Sequence, residues 1–196
     1  SWVKKLEDIE GPELCETFLI NSMAPFIMNS KLIHLLNKSP RDRRFIINVS
    51  AMEGKFYRHK SPDHPHTNMA KAALNMMTRT SGKDYADKYS VYMNSVDTGW
   101  INDERPLHMA CKFSKEHHWQ TPIDEIDAAA RILDPVFTWI PQSTDENHCL
   151  FEERKHAPAD DPVKRLYETT TYPPGCKREM APPFGQFFKD YFPTEW

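Results

Sequence analysis

The sequence predicts an α/β chain built on a parallel sheet. Three observations predict it. A short β-branched run, Phe45-Ile46-Ile47-Asn48-Val49, has the continuous apolar character of a strand buried on both faces. A second short strand pattern follows at 91–96. Segments of helical period lie before, between and after the two, giving helix, strand, helix, strand, helix.

The elements follow in order. Trp2, Val3, Leu6 and Ile9 form a short amphipathic lead, ended by Gly11-Pro12. Pro12 fits the first turn of a helix running over 13–37, with Leu14, Phe18, Phe26, Leu32 and Leu36 on its expected buried side. Pro25 should kink that helix, and Asn21 lies one turn earlier, where an amide can satisfy freed backbone groups. Ser39-Pro40-Arg41-Asp42 reads as a turn, and Ser50 to Gly54 leaves the first strand for a long loop over 55–66.

The stretch 64–80, HPHTNMAKAALNMMTRT, organises the chain. His64-Pro65-His66 reads as loop, because a proline disfavours α geometry in the residue before it. From Met69 the composition is helical, with Met69, Ala73, Met76, Met77 and Thr80 as one apolar stripe and Lys71 facing the loop end. Gly82 and Asp84 are expected to loosen its end. Asp97-Thr98-Gly99-Trp100 is the turn after the second strand, and 103–118 reads as a polar helix. Thr121-Pro122-Ile123-Asp124 reads as the cap and first turn of another helix, continuing to about Pro135. In parallel sheets ligands bind beyond the carboxyl ends of the strands, so the groups after the first strand, Lys71 and the 97–100 turn are expected to meet there.

Three regions are expected: an α/β body over 1–140, an extended Pro-rich arm over 141–182, and an aromatic segment over 183–196 that packs back on the body. Proline is high, at 16, and glycine low, at 6. The net charge of −3, without a long basic run, gives no attraction to nucleic acid or an anionic membrane. No apolar stretch approaches the ~20 residues of a membrane span, and no secretory signal is visible. Cys15, Cys111, Cys149 and Cys176 are far apart and form no CxxC pair, which suggests neither a zinc ribbon nor a redox motif and fits a reducing, intracellular compartment. Residue 1 is Ser, so a processed or longer chain is expected.

Four pieces in order, INSMAPF around Asn21, FIINVSAMEG, NMAKAALNMMTRTS and YMNSVDTGW, resemble the second half of the short-chain dehydrogenase/reductase family. The similarity covers about 13–135, with weaker support at 184–196. It implies part of a Rossmann-type fold that moves hydride between NAD or NADP and an alcohol or carbonyl. In the family the machinery is an Asn, a Ser, and a Tyr four residues before a Lys. Asn21 and Lys71 match the Asn and the Lys. The tyrosine position is Thr67, and the serine position is Ala51, with Ser50 one residue earlier. A strand turns its side chains at each step, so Ser50 is a poor stand-in.

A threonine hydroxyl is far less acidic than a phenol and shorter by a ring, so the proton-transfer group must come from elsewhere. His64, His66 and Tyr57 are the candidates, with His66 in the right titration range; with His59, the histidines also read as plain loop residues. No metal site is indicated. By the resemblance, Lys71, Asp97, Thr98 and Gly99 would touch the cofactor.

No two glycines are close enough for the glycine-rich phosphate turn, and the family's first strands have no counterpart. Two or three parallel strands are not stable alone, so other protein chains, or another part of the same one, are expected to complete the sheet. The resemblance also implies self-association through 13–37 and 69–86. Two functions follow: a catalytically impaired pseudoenzyme serving as a structural or assembly subunit, or the C-terminal half of an NAD(P)-dependent oxidoreductase.

Overall fold

The computed structural model describes residues 2–57, 59–101, 107–118, 121–140 and 182–196. The arm expected over 141–182 lies outside the described residues except for Pro182. Helix α1 spans Gly11–Phe18, a π-helical turn spans Leu19–Met23, and α2 spans Ala24–Leu36. Strand β1 is Arg44–Ser50, α3 is Pro65–Tyr89, and β2 is Val91–Asp97. Helices α4, Leu107–His117, and α5, Glu125–Phe137, precede a C-terminal hairpin of β3, Phe187–Lys189, and β4, Phe192–Thr194.

The sheet order is β1-β2-β3-β4. β1 and β2 are parallel with Arg44 opposite Val91 and Ser50 opposite Asp97; β3 is parallel to β2, and β4 antiparallel to β3. The α/β class and the parallel strands are as the sequence predicts. β2 is buried at all seven positions, whereas β1 is not: its burial is partial up to Ile47, and Val49 is 43% exposed. β1 therefore departs from the doubly buried strand expected of it, because β2 is its only partner among the described residues.

Both helix faces need correction. On α3 the buried residues are His66, Ala70, Leu74, Asn75, Thr78, Gly82 and Ala86, while Met69 and Met76 are more than half exposed. The inward stripe thus lies beside the methionine stripe and is rich in polar groups. On α1 and α2, Ile33 is the buried residue, and Leu14, Phe26 and Leu32 face outward. Gly82 does not loosen α3, which continues to Tyr89; a Cβ there would sit 2.7 Å from the Gly185 nitrogen, so the glycine admits the chain entering β3. The last long helix is capped by Asp124, not Thr121, its carboxylate accepting from the Ile126 and Asp127 N–H groups at 3.0 and 2.9 Å.

A polar seam crosses the interior. Asn29 donates to Asn48 Oδ1 at 3.0 Å, and Asn48 donates to Thr78 Oγ1 at 2.9 Å. Ser95 also donates to Thr78 Oγ1 at 2.9 Å, and that hydroxyl donates to the Leu74 carbonyl at 3.0 Å. One hydroxyl thereby ties β1, α3 and β2 together, and Asn48 joins α2 to it. Asn94 holds the last segment, donating to the Pro183 carbonyl at 2.9 Å and accepting from the Gln186 N–H at 3.0 Å.

Candidate functional site

An open cavity of about 870 Å³ lies beyond the carboxyl ends of the strands. Asp97, Gly99 and Trp100 supply it from the turn after β2, Met52 and Glu53 from the segment after β1, and His64 and Asn68 from the start of α3. Asn21, Ser50, Thr67, His66 and Lys71 are not among its lining residues. The segments expected to meet there, those after β1 and β2 and the start of α3, do meet, without these five side chains in the lining.

Each has a local reason. The π-turn shifts the helical ladder by one residue, so Ala24 N–H bonds the Leu19 carbonyl five residues back. Asn21 sits in that turn and donates to the Thr17 carbonyl at 3.0 Å, a backbone-satisfying role. Ser22 fastens the same turn to α3 through the Ala70 carbonyl at 2.7 Å. Ser50 is 3% exposed and donates to Asn75 Oδ1 at 2.5 Å beneath α3, while Ala51 is fully extended at φ −159°. The strand alternation thus turns the Ser50 hydroxyl inward. Lys71 Nζ donates to the Val49 carbonyl at 3.1 Å, at the end of β1.

His66 is a correction to the loop reading. The helix begins at Pro65, so His66 lies in its first turn and is 1% exposed, with Nε2 3.6 Å from Glu13 Oε1. Burial pushes its pKa below the ordinary imidazole value, and the Glu13 carboxylate offsets part of this. Thr67 lies in the same turn, its N–H bonded to the His64 carbonyl at 3.1 Å. Tyr57 Oη lies 3.5 Å from Thr194 Oγ1, in the C-terminal hairpin. Of the loop histidines, His59 and His64 line the cavity.

The candidate cofactor turn is built tightly on itself. Gly99 has φ +82°, its N–H bonds Asp97 Oδ1 at 3.0 Å, and Thr98 Oγ1 donates to the Gly99 carbonyl at 3.1 Å. Asp97 is nearly buried, and Lys189 Nζ pairs with its other oxygen at 3.0 Å. Arg131 on α5 pairs with Asp190 and stands over the Tyr191 ring. Lys60 donates to the Met52 and Glu53 carbonyls at 3.1 and 2.6 Å, and burial lowers its pKa. Lys189, Arg131 and Asn68 were not legible as site residues. Asn68 Oδ1 is buried at the cavity with no hydrogen-bond partner among the described residues. The signal for the two cations was slight: one basic residue on the polar side of a helix and one in the aromatic tail.

These residues do not fit a whole dinucleotide. The six glycines stand at 11, 54, 82, 99, 175 and 185, so no phosphate-cradling turn can form from them, and Lys71 is drawn to a backbone carbonyl. Among the described residues no group of three or more His, Cys, Asp or Glu could hold a metal ion, and no helix is long and apolar enough to cross a membrane.

No protein-family model matches the chain. It is 32% identical over 143 residues to the uncharacterized protein R665 of Acanthamoeba polyphaga mimivirus, a match covering 70% of this chain and 30% of that protein. Similar solved structures include the NADPH-bound carbonyl reductase from chicken fatty liver, at 21% identity and TM-score 0.45, covering 50% of this chain and 42% of that one. A short-chain dehydrogenase from Streptomyces avermitilis is similar at 17% identity and TM-score 0.43, covering 53% and 35%. The chain therefore spans under a third of the curated relative and about two fifths of these structures.

Proposed function

We propose that this chain is the second half of a dehydrogenase-like α/β domain that works as an interaction subunit and has lost the family's proton-transfer chemistry. The observation that carries the proposal is the outer edge of β1, which has no strand partner among the described residues, beside an outward apolar surface on the π-turn and α2. There Ile20, Phe26 and Leu35 are 60%, 59% and 65% exposed. Apolar surface of that kind beside a strand edge marks a protein–protein contact.

Chain handedness supports an added strand at this edge. α3 carries β1 to β2, and α1 and α2 pack beside it on the same side of β1. Right-handed crossovers on one face advance in one direction, so the strand that feeds α1 belongs on the side of β1 away from β2. That strand would come from a preceding part of the same polypeptide or from a partner chain. The loss of chemistry is supported by Thr67 at the tyrosine position and by Ser50, whose hydroxyl is spent on Asn75.

The cavity beyond the strand ends favours the second reading, an NAD(P)-dependent oxidoreductase completed by its nucleotide-binding half. Native mass spectrometry, with and without NADH and NADPH, separates the two. A complex with a second polypeptide that gains no nucleotide mass supports the subunit. One nucleotide per complex, lost in Lys71→Ala, supports the enzyme. A chain that stays a monomer under every condition and takes up nothing overturns both.

A further inference from the structure

Residues 2–8 lie against the start of α3, and their seat is built from polar groups. His64 has φ +42° and ψ 47°, the left-handed region, immediately before Pro65. That geometry presents its N–H to the Lys4 carbonyl at 2.7 Å, while its Nδ1 lies 2.8 Å from the Trp2 carbonyl. The Trp2 and His64 rings stack with centroids 4.0 Å apart and planes 4° apart. Lys4 Nζ reaches Glu13 Oε2 at 2.6 Å, and the other oxygen of Glu13 is 3.6 Å from His66 Nε2. Trp2 and Val3 form one wall of the cavity.

We propose that residues 2–8 are a strap that closes this wall of the cavity at neutral pH and releases it in mild acid, with the Glu13–His66 pair as the trigger. Among the described residues, the charged and titratable groups that act on His66 are Glu13 on α1, Lys4 on the strap, and His64 at the head of α3. In the closed state Glu13 pairs with Lys4, and His66 is 1% exposed, a burial that favours its uncharged form. A proton on His66 puts two cations on one carboxylate, and the imidazolium itself is 1% exposed. Release of the strap hydrates the imidazolium and leaves Lys4 in solvent.

The sign follows from linkage. The closed state holds His66 below its ordinary value of 6.5, so the released state binds more protons as pH falls past that value. Acid therefore favours release. The neighbouring imidazole of His64 and the ammonium of Lys4 act in the same direction as burial, and Glu13 opposes them.

Fluorine NMR of the full chain labelled with 5-fluorotryptophan tests this. Its five tryptophans give five resonances, and Trp2→Phe assigns the first. From pH 8 to pH 5 the Trp2 resonance should move to its solvent-exposed position, with a midpoint below 6.5, while that of Trp139, 0% exposed, stays fixed. His64→Ala should release Trp2 already at pH 8, and His66→Gln should remove the acid transition. In the unmutated chain, the ring-nitrogen titration of His66 should coincide with the Trp2 transition, which keeps the test independent of any variant's folding. A Trp2 resonance that is constant to pH 5, that moves together with Trp139, or that titrates apart from His66 overturns the proposal.

Discussion

Replacing Thr78 by Val tests whether the polar seam holds the helices to the sheet. The side chain is 0% exposed and Val has nearly the same shape, so no cavity opens. What disappears is an oxygen that accepts from Asn48 and Ser95 at 2.9 Å each. Two buried donors lose their partner, and each such loss costs about 1–3 kcal/mol. The lost donation to the Leu74 carbonyl costs little, since that carbonyl is part of the helix.

The expected loss is about 3 kcal/mol, or roughly 6–12 °C in Tm for a chain of this size. Urea unfolding followed by circular dichroism measures it. Ser95→Ala removes a donor together with its need, so alone it should cost about 1 kcal/mol, and in Thr78→Val it should cost still less. A Thr78→Val loss below about 0.5 kcal/mol, or strict additivity with Ser95→Ala, would show that the seam does not act through Thr78.

Three further outcomes are expected. Gly82→Ala drives a Cβ to 2.7 and 2.8 Å from the Gly185 backbone, which should cost about 1–3 kcal/mol and be read as a lower Tm. Lys189→Met leaves the nearly buried Asp97 carboxylate without its cation and should cost about 3 kcal/mol in denaturant titration, with Asp97→Asn/Lys189→Met recovering much of it. Val49→Lys, at a 43% exposed site on β1, whose outer edge has no partner among the described residues, should lower the fraction of complex in native mass spectrometry while changing the chain's own stability by no more than about 0.5 kcal/mol.

The α/β class, both parallel strands and the long helix between them are legible in the sequence. Apolar run length and helical period are local properties that survive without knowing the neighbours. The sequence also showed that Thr67 stands where the resemblance wants a tyrosine, and that no glycine-rich turn is available, since both are matters of residue identity and spacing. Polar residues inside the strand runs, Asn48, Asn94 and Ser95, were visible as letters, but their shared purpose was not. It depends on a hydroxyl on α3 and a carbonyl at Pro183 meeting them across the fold.

Which way the chemical groups point is settled by packing. The period of α3 allowed two adjacent stripes, and packing against β2 selected the polar-rich one over the methionines. Strand alternation settled Ser50 inward, and the π-turn spent Asn21 on its own helix. His66 moved from loop to buried first turn because Pro65 opens α3 one turn before the sequence suggested. Side-chain direction is set by the neighbours an element acquires, and a single sequence does not name those neighbours.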